Sequence, residues 1–279
     1  MIKKTADTIP QVKLNSGNLM PMYGLGVSQA DEATADAVMI AIANGYRMID
    51  TAKAYGNEKE VGEGIRRSGI NRKEIFLTTK LSVPDMTAGR AREAFEQSLE
   101  RLKMDYVDLY LLHWPVVEQI ESSWKQLEDF YRQGLIRNIG VSNFQIHHLK
   151  DMVPYMTITP AVNQIECHPL LVQAELRDFC EELGIINEAW SPLGRAKIFE
   201  EPVLKSIAQH HDRTVAQVVL RWHIEHGTIV IPKSTKRERI IENSQIFDFS
   251  LTQEEVNKID AMDKHQRFGS DPDNFHFDV

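Results

Sequence analysis

Cysteine is nearly missing from this 279-residue sequence: Cys167 and Cys180 are its only two, so no disulfide framework of the kind small secreted domains use can hold it together. A surplus of positive charge is missing too. With 32 Lys and Arg against 40 Asp and Glu the formal charge is −8, which sets the chain against polyanionic partners such as nucleic acid. No apolar run approaches the roughly 18 residues of a membrane span. Met1-Ile-Lys-Lys-Thr-Ala-Asp7 has two lysines but no apolar stretch behind them, so a secretory signal is not expected either. Cytoplasm is the expected location. Absent as well are a complete dinucleotide fingerprint, a phosphate-binding P-loop and a set of metal ligands. Gly24-Leu-Gly26-Val-Ser-Gln29 opens like the fingerprint but lacks its third glycine, and no acidic residue ends a well-placed second strand. Gly62-Glu-Gly64 falls inside a predicted helix and reads as a packing or C-terminal feature. The pairs His147-His148, His210-His211 and His223/His226 lack partner ligands at metal spacing, so they read as solvated or satisfied histidines and no metal is expected.

What is present is a long alternation. Short apolar runs lie near 23–26, 46–50, 75–80, 107–113, 136–141, 161–166, 185–190 and 228–231, apolar throughout as parallel strands buried on both faces are. Amphipathic stretches such as Asp31–Asn44, Asn57–Ser68, Ala88–Leu102, Glu121–Gln133 and Ala174–Leu183 fill the gaps. Several end in turn signals suited to helix C-termini, Asn44-Gly45 and Leu183-Gly184 among them. Ahead of these, Val12–Leu14 and Leu19–Met22 flank the turn-rich Asn15-Ser-Gly-Asn18, which predicts a β-hairpin. Eight βα units in a length close to the ~250 residues typical of a (β/α)₈ barrel predict an α/β fold: one TIM-barrel domain over residues 1–279, with an N-terminal β-hairpin.

Four side chains suited to proton chemistry fall at or just past the ends of successive predicted strands. Asp50 and Tyr55 lie in Asp50-Thr-Ala-Lys-Ala-Tyr55-Gly56-Asn57-Glu58, Lys80 closes Ile75-Phe-Leu-Thr-Thr-Lys80, and His113 closes Val107–His113. In a parallel barrel those ends share the face on which such folds place their chemistry. Taken singly, each has a plain structural reading: a surface Asp–Lys pair, a core tyrosine, a satisfied histidine. Taken together at matching strand ends, they read as an active site.

Further motifs stand in order along the chain: Gly140-Val-Ser142-Asn143-Phe144, Asn163-Gln164-Ile-Glu166-Cys-His-Pro169, Ala189-Trp190-Ser191-Pro-Leu193-Gly194, Ile231-Pro-Lys233-Ser234 and Arg239-Ile-Ile-Glu242-Asn243. With them the chain resembles the aldo-keto reductases over essentially its whole length. Asp271-Pro-Asp-Asn-Phe275 looks like the C-terminus of bacterial members, and the resemblance implies a C-terminal loop over the active face. The resemblance implies that Tyr55 is the general acid for a carbonyl oxygen, its pKa lowered by Lys80, with Asp50 holding Lys80 and His113 orienting the carbonyl. It implies a nicotinamide nucleotide lying extended across the barrel mouth, NADPH in preference to NADH. Ser142, Asn143 and Gln164 would hold the carboxamide, Trp190 would stack under the ring, and Ser191 and Leu193 would meet the pyrophosphate. Lys233, Ser234 and Arg239 would take the adenosine 2′-phosphate, and Glu242 and Asn243 the adenine edge. For the substrate it implies His113 and an aromatic wall at Trp114. Ser28 and Ser82 stand where many relatives carry aromatics, so a wider and more polar pocket is expected, and Lys53 reads as a solvated loop lysine in preference to a contact for an acidic or oxygen-rich substrate. The implied activity is NADPH-dependent reduction of small-molecule aldehydes, ketones or keto-sugars by a monomer, with 2,5-diketo-D-gluconate and methylglyoxal-type dicarbonyls among the candidates. A nucleotide-binding accessory or structural protein with little turnover is the alternative.

Overall fold

The computed structural model describes residues 9–275; the segment Met1–Asp7, on which the expectation about a secretory signal rested, lies outside them. Strands β1 (Gln11–Lys13) and β2 (Leu19–Pro21) pair antiparallel as the expected hairpin. Then come β3 (Leu25–Gly26), β4 (Met48–Asp50), β5 (Phe76–Leu81), β6 (Leu109–Leu112), β7 (Ile139–Ser142), β8 (Val162–Glu166), β9 (Ile186–Trp190) and β10 (Ile229–Val230). These eight form one sheet in sequence order, with parallel pairing from β3 through to β10. Its two edges meet. The amide of Gly24 donates to Val230 O at 2.9 Å and that of Val230 to Met22 O at 3.1 Å, and parallel bridges join Tyr23 to Val230 and Gly26 to Lys233. The chain is therefore a (β/α)₈ barrel.

The sequence folds this way because its strands have no polar side to offer water. Every position of β5, β6, β7 and β8 is buried. One face meets the surrounding helices in a continuous core, while Met48, Phe76, Leu109, Leu111, Val162 and Ile229 fill the barrel with Leu14 and Met20 of the hairpin segment. Asn15 Nδ2 donates to Pro160 O at 2.9 Å and Asn18 Nδ2 to Arg137 O at 3.2 Å. Both acceptors precede the strands they lead into, so the hairpin plugs the N-terminal end and leaves the other open.

Two glycine motifs find their reason in packing. A Cβ at Gly26 would sit 2.7 Å from Ile231 O, so Gly24-Leu-Gly26 closes the barrel seam rather than cradling a phosphate. A Cβ at Gly62 would sit 2.0 Å from Leu102 O, and one at Gly64 2.6 Å from Ala35 O. The helix Glu58–Arg67 can touch its neighbours only because those side chains are missing. At the open end the C-terminal segment crosses the barrel: the amides of Lys264 and Gln266 donate to Leu170 O at 3.2 and 2.9 Å, and Phe275 lies against Trp114 with ring centroids 5.0 Å apart. Among the described residues, no helix is long and apolar enough to cross a membrane.

Candidate active site

Asp50 ends β4, Lys80 lies in β5, and Tyr55 follows in the short turn Lys53–Tyr55, which Gly56 closes in the left-handed conformation at φ 68°. The chain thereby brings an acid, an amine and a phenol to one point. Lys80 Nζ donates to Asp50 Oδ1 at 2.7 Å, to Thr51 O at 2.9 Å and to Tyr55 OH at 3.4 Å, which uses all three of its protons. The rings of Tyr55 and His113 meet edge to face at 5.7 Å. All four expected residues line one cavity or its floor: Asp50, Tyr55 and His113 form its wall, and Lys80 lies fully buried behind them.

Burial pushes the Tyr55 phenol above its ordinary value of 10.0; the Lys80 charge pulls the other way and loses. The expectation of a phenol brought down toward neutrality is thus corrected, because desolvation outweighs the ammonium. Tyr55 consequently carries its proton at neutral pH, which a donor must. Burial would discharge Lys80, but Asp50 and then Tyr55 hold its pKa above the ordinary value, so the ammonium persists. Burial, with the Lys80 charge added, holds His113 well below the usual imidazole range. It is neutral at pH 7, with an N–H to give and no charge to compete.

Behind this group lies a residue that sequence reasoning missed. Gln164 Nε2 donates to Asp50 Oδ2 and to Glu188 Oε2, each at 2.8 Å. Glu188 is fully buried in β9. The one sequence signal was an acid inside a run otherwise suited to burial. Burial first, and the Asp50 charge second, push its carboxyl up to about 8. A folded pKa raised above the unfolded value of 4.5 means that the native chain keeps a proton the unfolded chain has lost, so stability falls as pH rises from 4.5 toward 8. Glu188→Gln, which can still accept from Gln164, removes that slope. Its melting temperature should exceed that of the wild type, by a margin that widens from pH 5 to pH 8 in scanning calorimetry. A margin independent of pH would contradict the assignment.

Two cavities form the cleft at the open end of the barrel. One of about 430 Å³ holds Tyr55, His113, Trp114, Ser142, Asn143, Gln164 and Trp190. The other, about 700 Å³, holds Leu193, Ser234, Arg239, Glu242 and Asn243. They share Ser28, Ser191, Arg195 and Lys233, and so run together as one elongated trough. Trp190 Nε1 donates to Asn143 Oδ1 at 2.8 Å, and Asn143 Nδ2 donates to His113 O at 3.0 Å. That bracing suits the left-handed backbone of Asn143 (φ 66°), a conformation asparagine tolerates better than most residues. Over Trp190 runs Gly269, where a Cβ would fall 2.3 Å from the indole. Buried Glu166 holds that segment down, accepting from the amides of Phe268 at 2.7 Å and Gly269 at 3.1 Å.

Some expected residues lie elsewhere. Ser82 is buried and is not among the residues lining either cavity; its hydroxyl donates to Asp85, so only Ser28 reaches the trough. Lys53 is not simply solvated, since its Nζ pairs with Asp85 Oδ2 at 2.6 Å. Arg195, absent from the sequence-based set, lines both cavities. All three histidine pairs gain a carboxylate that their sequence neighbourhood lacks, His226 meeting Asp260 at 2.8 Å. His147 and His148 meet Asp273 at 3.0 and 3.5 Å, and His210 and His211 meet Glu255 at 2.8 and 3.0 Å. Both clusters read as hydrogen-bonded ties: His148 Nδ1 accepts from the amide of Gln145, and Glu255 caps its own helix through the amide of Thr252.

The barrel thus carries proton-transfer groups at its C-terminal face, beside a trough of two joined cavities. Residues 22–264 match the profile of the Aldo/keto reductase family, and the chain belongs to that family of oxidoreductases. It is 51% identical over 269 residues to the glyoxal reductase of Bacillus subtilis, covering 95% of this chain and 97% of that one. The crystal structure of an aldo/keto reductase from Brucella melitensis superposes with a TM-score of 0.89 at 47% identity, covering 92% of this chain and 100% of the other. That of a Bombyx mori aldo-keto reductase in complex with NADP does so with a TM-score of 0.89 at 35% identity, over 95% and 96% of the two chains.

Proposed function

We propose that this protein reduces small uncharged dicarbonyls of the glyoxal type with NADPH, using Tyr55 as the proton donor. The observation that carries the reading is the Tyr55 hydroxyl 3.4 Å from the Lys80 ammonium, on the wall of a cavity that also holds His113. Reduced nicotinamide, when bound, supplies the hydride that no side chain can. The residues fit such a group. Lys233 and Arg239 make no ion pair among the described residues, and with the Ser234 hydroxyl they face one cavity, a set suited to a phosphate monoester. Gln164 has given both amide protons to carboxyl groups, leaving its carbonyl oxygen as what it can offer a carboxamide. Trp190 supplies a flat wall held by its bond to Asn143.

The chain's own part in the chemistry follows from its charges. His113, neutral, gives an N–H to the carbonyl oxygen and orients it. Tyr55 passes its proton to that oxygen as the carbon is reduced. Lys80 then stabilises the phenolate, and Asp50 keeps Lys80 charged and in place. The cations of the chemical cavity, Arg195 and Lys233, both belong to the wall it shares with its neighbour, and Lys53 is tied to Asp85. Apart from Arg195 and Lys233, no cation stands among the described residues lining that cavity, which favours uncharged carbonyls. The 51% identity to a glyoxal reductase supports the same class.

Glyoxal and methylglyoxal should drive NADPH oxidation with kcat/KM well above that for glyoxylate; a preference for the acid would overturn the substrate class, and no turnover with any of them the activity. The cofactor has its own test. Arg239→Ala should weaken NADPH binding roughly ten- to hundredfold, the range for losing hydrogen bonds to a charged group, and leave NADH within a factor of about three by titration calorimetry. Equal loss for both would move Arg239 away from the 2′-phosphate.

A further inference from the structure

We propose that His210, His211 and Glu255 form a binding site for a divalent transition metal of the zinc class, in the helical layer and apart from the residues that line the trough. Three ligand atoms converge there. His210 Nδ1 lies 2.8 Å from Glu255 Oε1, and His211 Nε2 lies 3.0 Å from both carboxylate oxygens. All the ligand atoms stand within 4.8 Å of one another. Ligands at about 2.0–2.2 Å from a tetrahedral zinc stand about 3.3–3.6 Å apart, so small outward shifts admit the ion. Two imidazoles and one carboxylate suit zinc better than magnesium or calcium, which favour oxygen.

The ligands are also held in aim. Glu255 Oε2 accepts from the Thr252 amide at 2.8 Å and from its hydroxyl at 3.0 Å, the cap of the helix Gln253–Asp260. A metal on Oε1 leaves that cap in place, and the Thr252 bonds orient the carboxylate as outer partners of metal ligands do. The His211 ring lies against Phe249, centroids 5.5 Å apart. Beside exposed His210 opens a cleft of about 460 Å³, with room for the water that completes a shell of three protein ligands. Lys258 lines the same cleft, but its ammonium pairs with Glu254 at 2.7 Å. The cluster of His147, His148 and Asp273 lacks this freedom. His148 Nδ1 accepts from the Gln145 amide, so the neutral ring keeps its hydrogen on Nε2, the atom facing Asp273. Among the described residues His210 and His211 bond through one ring nitrogen each, which leaves the other to take the hydrogen when a metal binds.

Zinc chloride titrated calorimetrically into the untagged full chain, first stripped with a chelator, should saturate at one ion per chain. Cobalt(II), as a spectroscopic probe, should develop the intense visible absorption of a site with four or five ligands. His211→Ala and Glu255→Gln should each abolish saturable zinc binding, while His148→Ala leaves it unchanged. Melts in chelator show that each variant is folded, and zinc should raise the melting temperature of the wild type but not of His211→Ala. If Glu255→Gln does not fold, His210→Ala, at an exposed position, gives the same reading. The site is overturned if the wild type takes up no zinc saturably or if His211→Ala binds it as the wild type does. Loss of binding in His148→Ala overturns it as well, by moving the ion to the other cluster.

Discussion

Tyr55→Phe is expected to lower kcat for dicarbonyl reduction by about 10²–10⁴-fold, the usual worth of a positioned general acid, while NADPH affinity stays as it was. The substitution keeps the ring and its edge contact with His113 and removes one oxygen. No neighbour can replace that oxygen as a donor. Asp50 is bound to Lys80 and Gln164, and the Lys80 protons are directed at Asp50, Thr51 and Tyr55. His113 is held neutral by burial and by Lys80, which leaves it a poor acid. The raised Tyr55 pKa sets the pH dependence as well. Because the phenol keeps its proton until the pH passes a value above 10, reduction should stay flat through neutral and mildly alkaline pH. Alcohol oxidation, which needs the phenolate, should climb over the same range. Steady-state rates in both directions from pH 6 to 10 read this. Turnover surviving in Tyr55→Phe, or reduction falling off near neutrality, would sink the assignment of Tyr55 as the acid.

Why the sequence revealed the barrel and the four central residues, yet not the rest, follows from how each is made. The strands of a parallel barrel are buried on both faces, so their apolar runs stand out, and Asp50, Tyr55, Lys80 and His113 are legible because they stand at or just past the ends of such runs. The helices Pro202–His211, Val215–Glu225 and Gln253–Asp260 left fainter traces. Their starts are nevertheless written in local chemistry: a proline in the first turn, and capping boxes at Thr214/Gln217 and Thr252/Glu255. Pairings across long stretches of chain left no trace. Nothing near Lys53 announces Asp85, nothing near His210 announces Glu255, and nothing in Ile186-Asn-Glu-Ala-Trp190 says that Glu188 will face Gln164. The direction of the Tyr55 shift was illegible for a related reason. A lysine neighbour can be read from spacing, but the extent of burial that outweighs it is a property of the closed barrel.

Lys80→Met should do two separable kinds of damage. The ammonium is fully buried and Asp50 is 1% exposed, so removing the cation leaves a carboxylate in the interior with only the Gln164 amide still donating to it. Breaking a buried pair from one side costs about 3–5 kcal/mol, against total stabilities of about 5–15 kcal/mol for ordinary domains. The variant should unfold at distinctly lower urea concentration. Adding Asp50→Asn should recover most of that loss, because neutral replacements of a whole buried pair are commonly tolerated. Activity is expected to behave otherwise. Without Lys80 nothing opposes the desolvation of Tyr55, and the phenolate formed on proton transfer has no counter-charge, so kcat should fall about 10²–10⁴-fold in the single and the double variant alike. Urea melts and NADPH turnover on the same preparations separate the two effects. A double variant that regains activity along with stability would mean that Lys80 serves only to fill and neutralise the interior, and a single variant as stable as the wild type would mean that Asp50 is not the buried charge its surroundings make it.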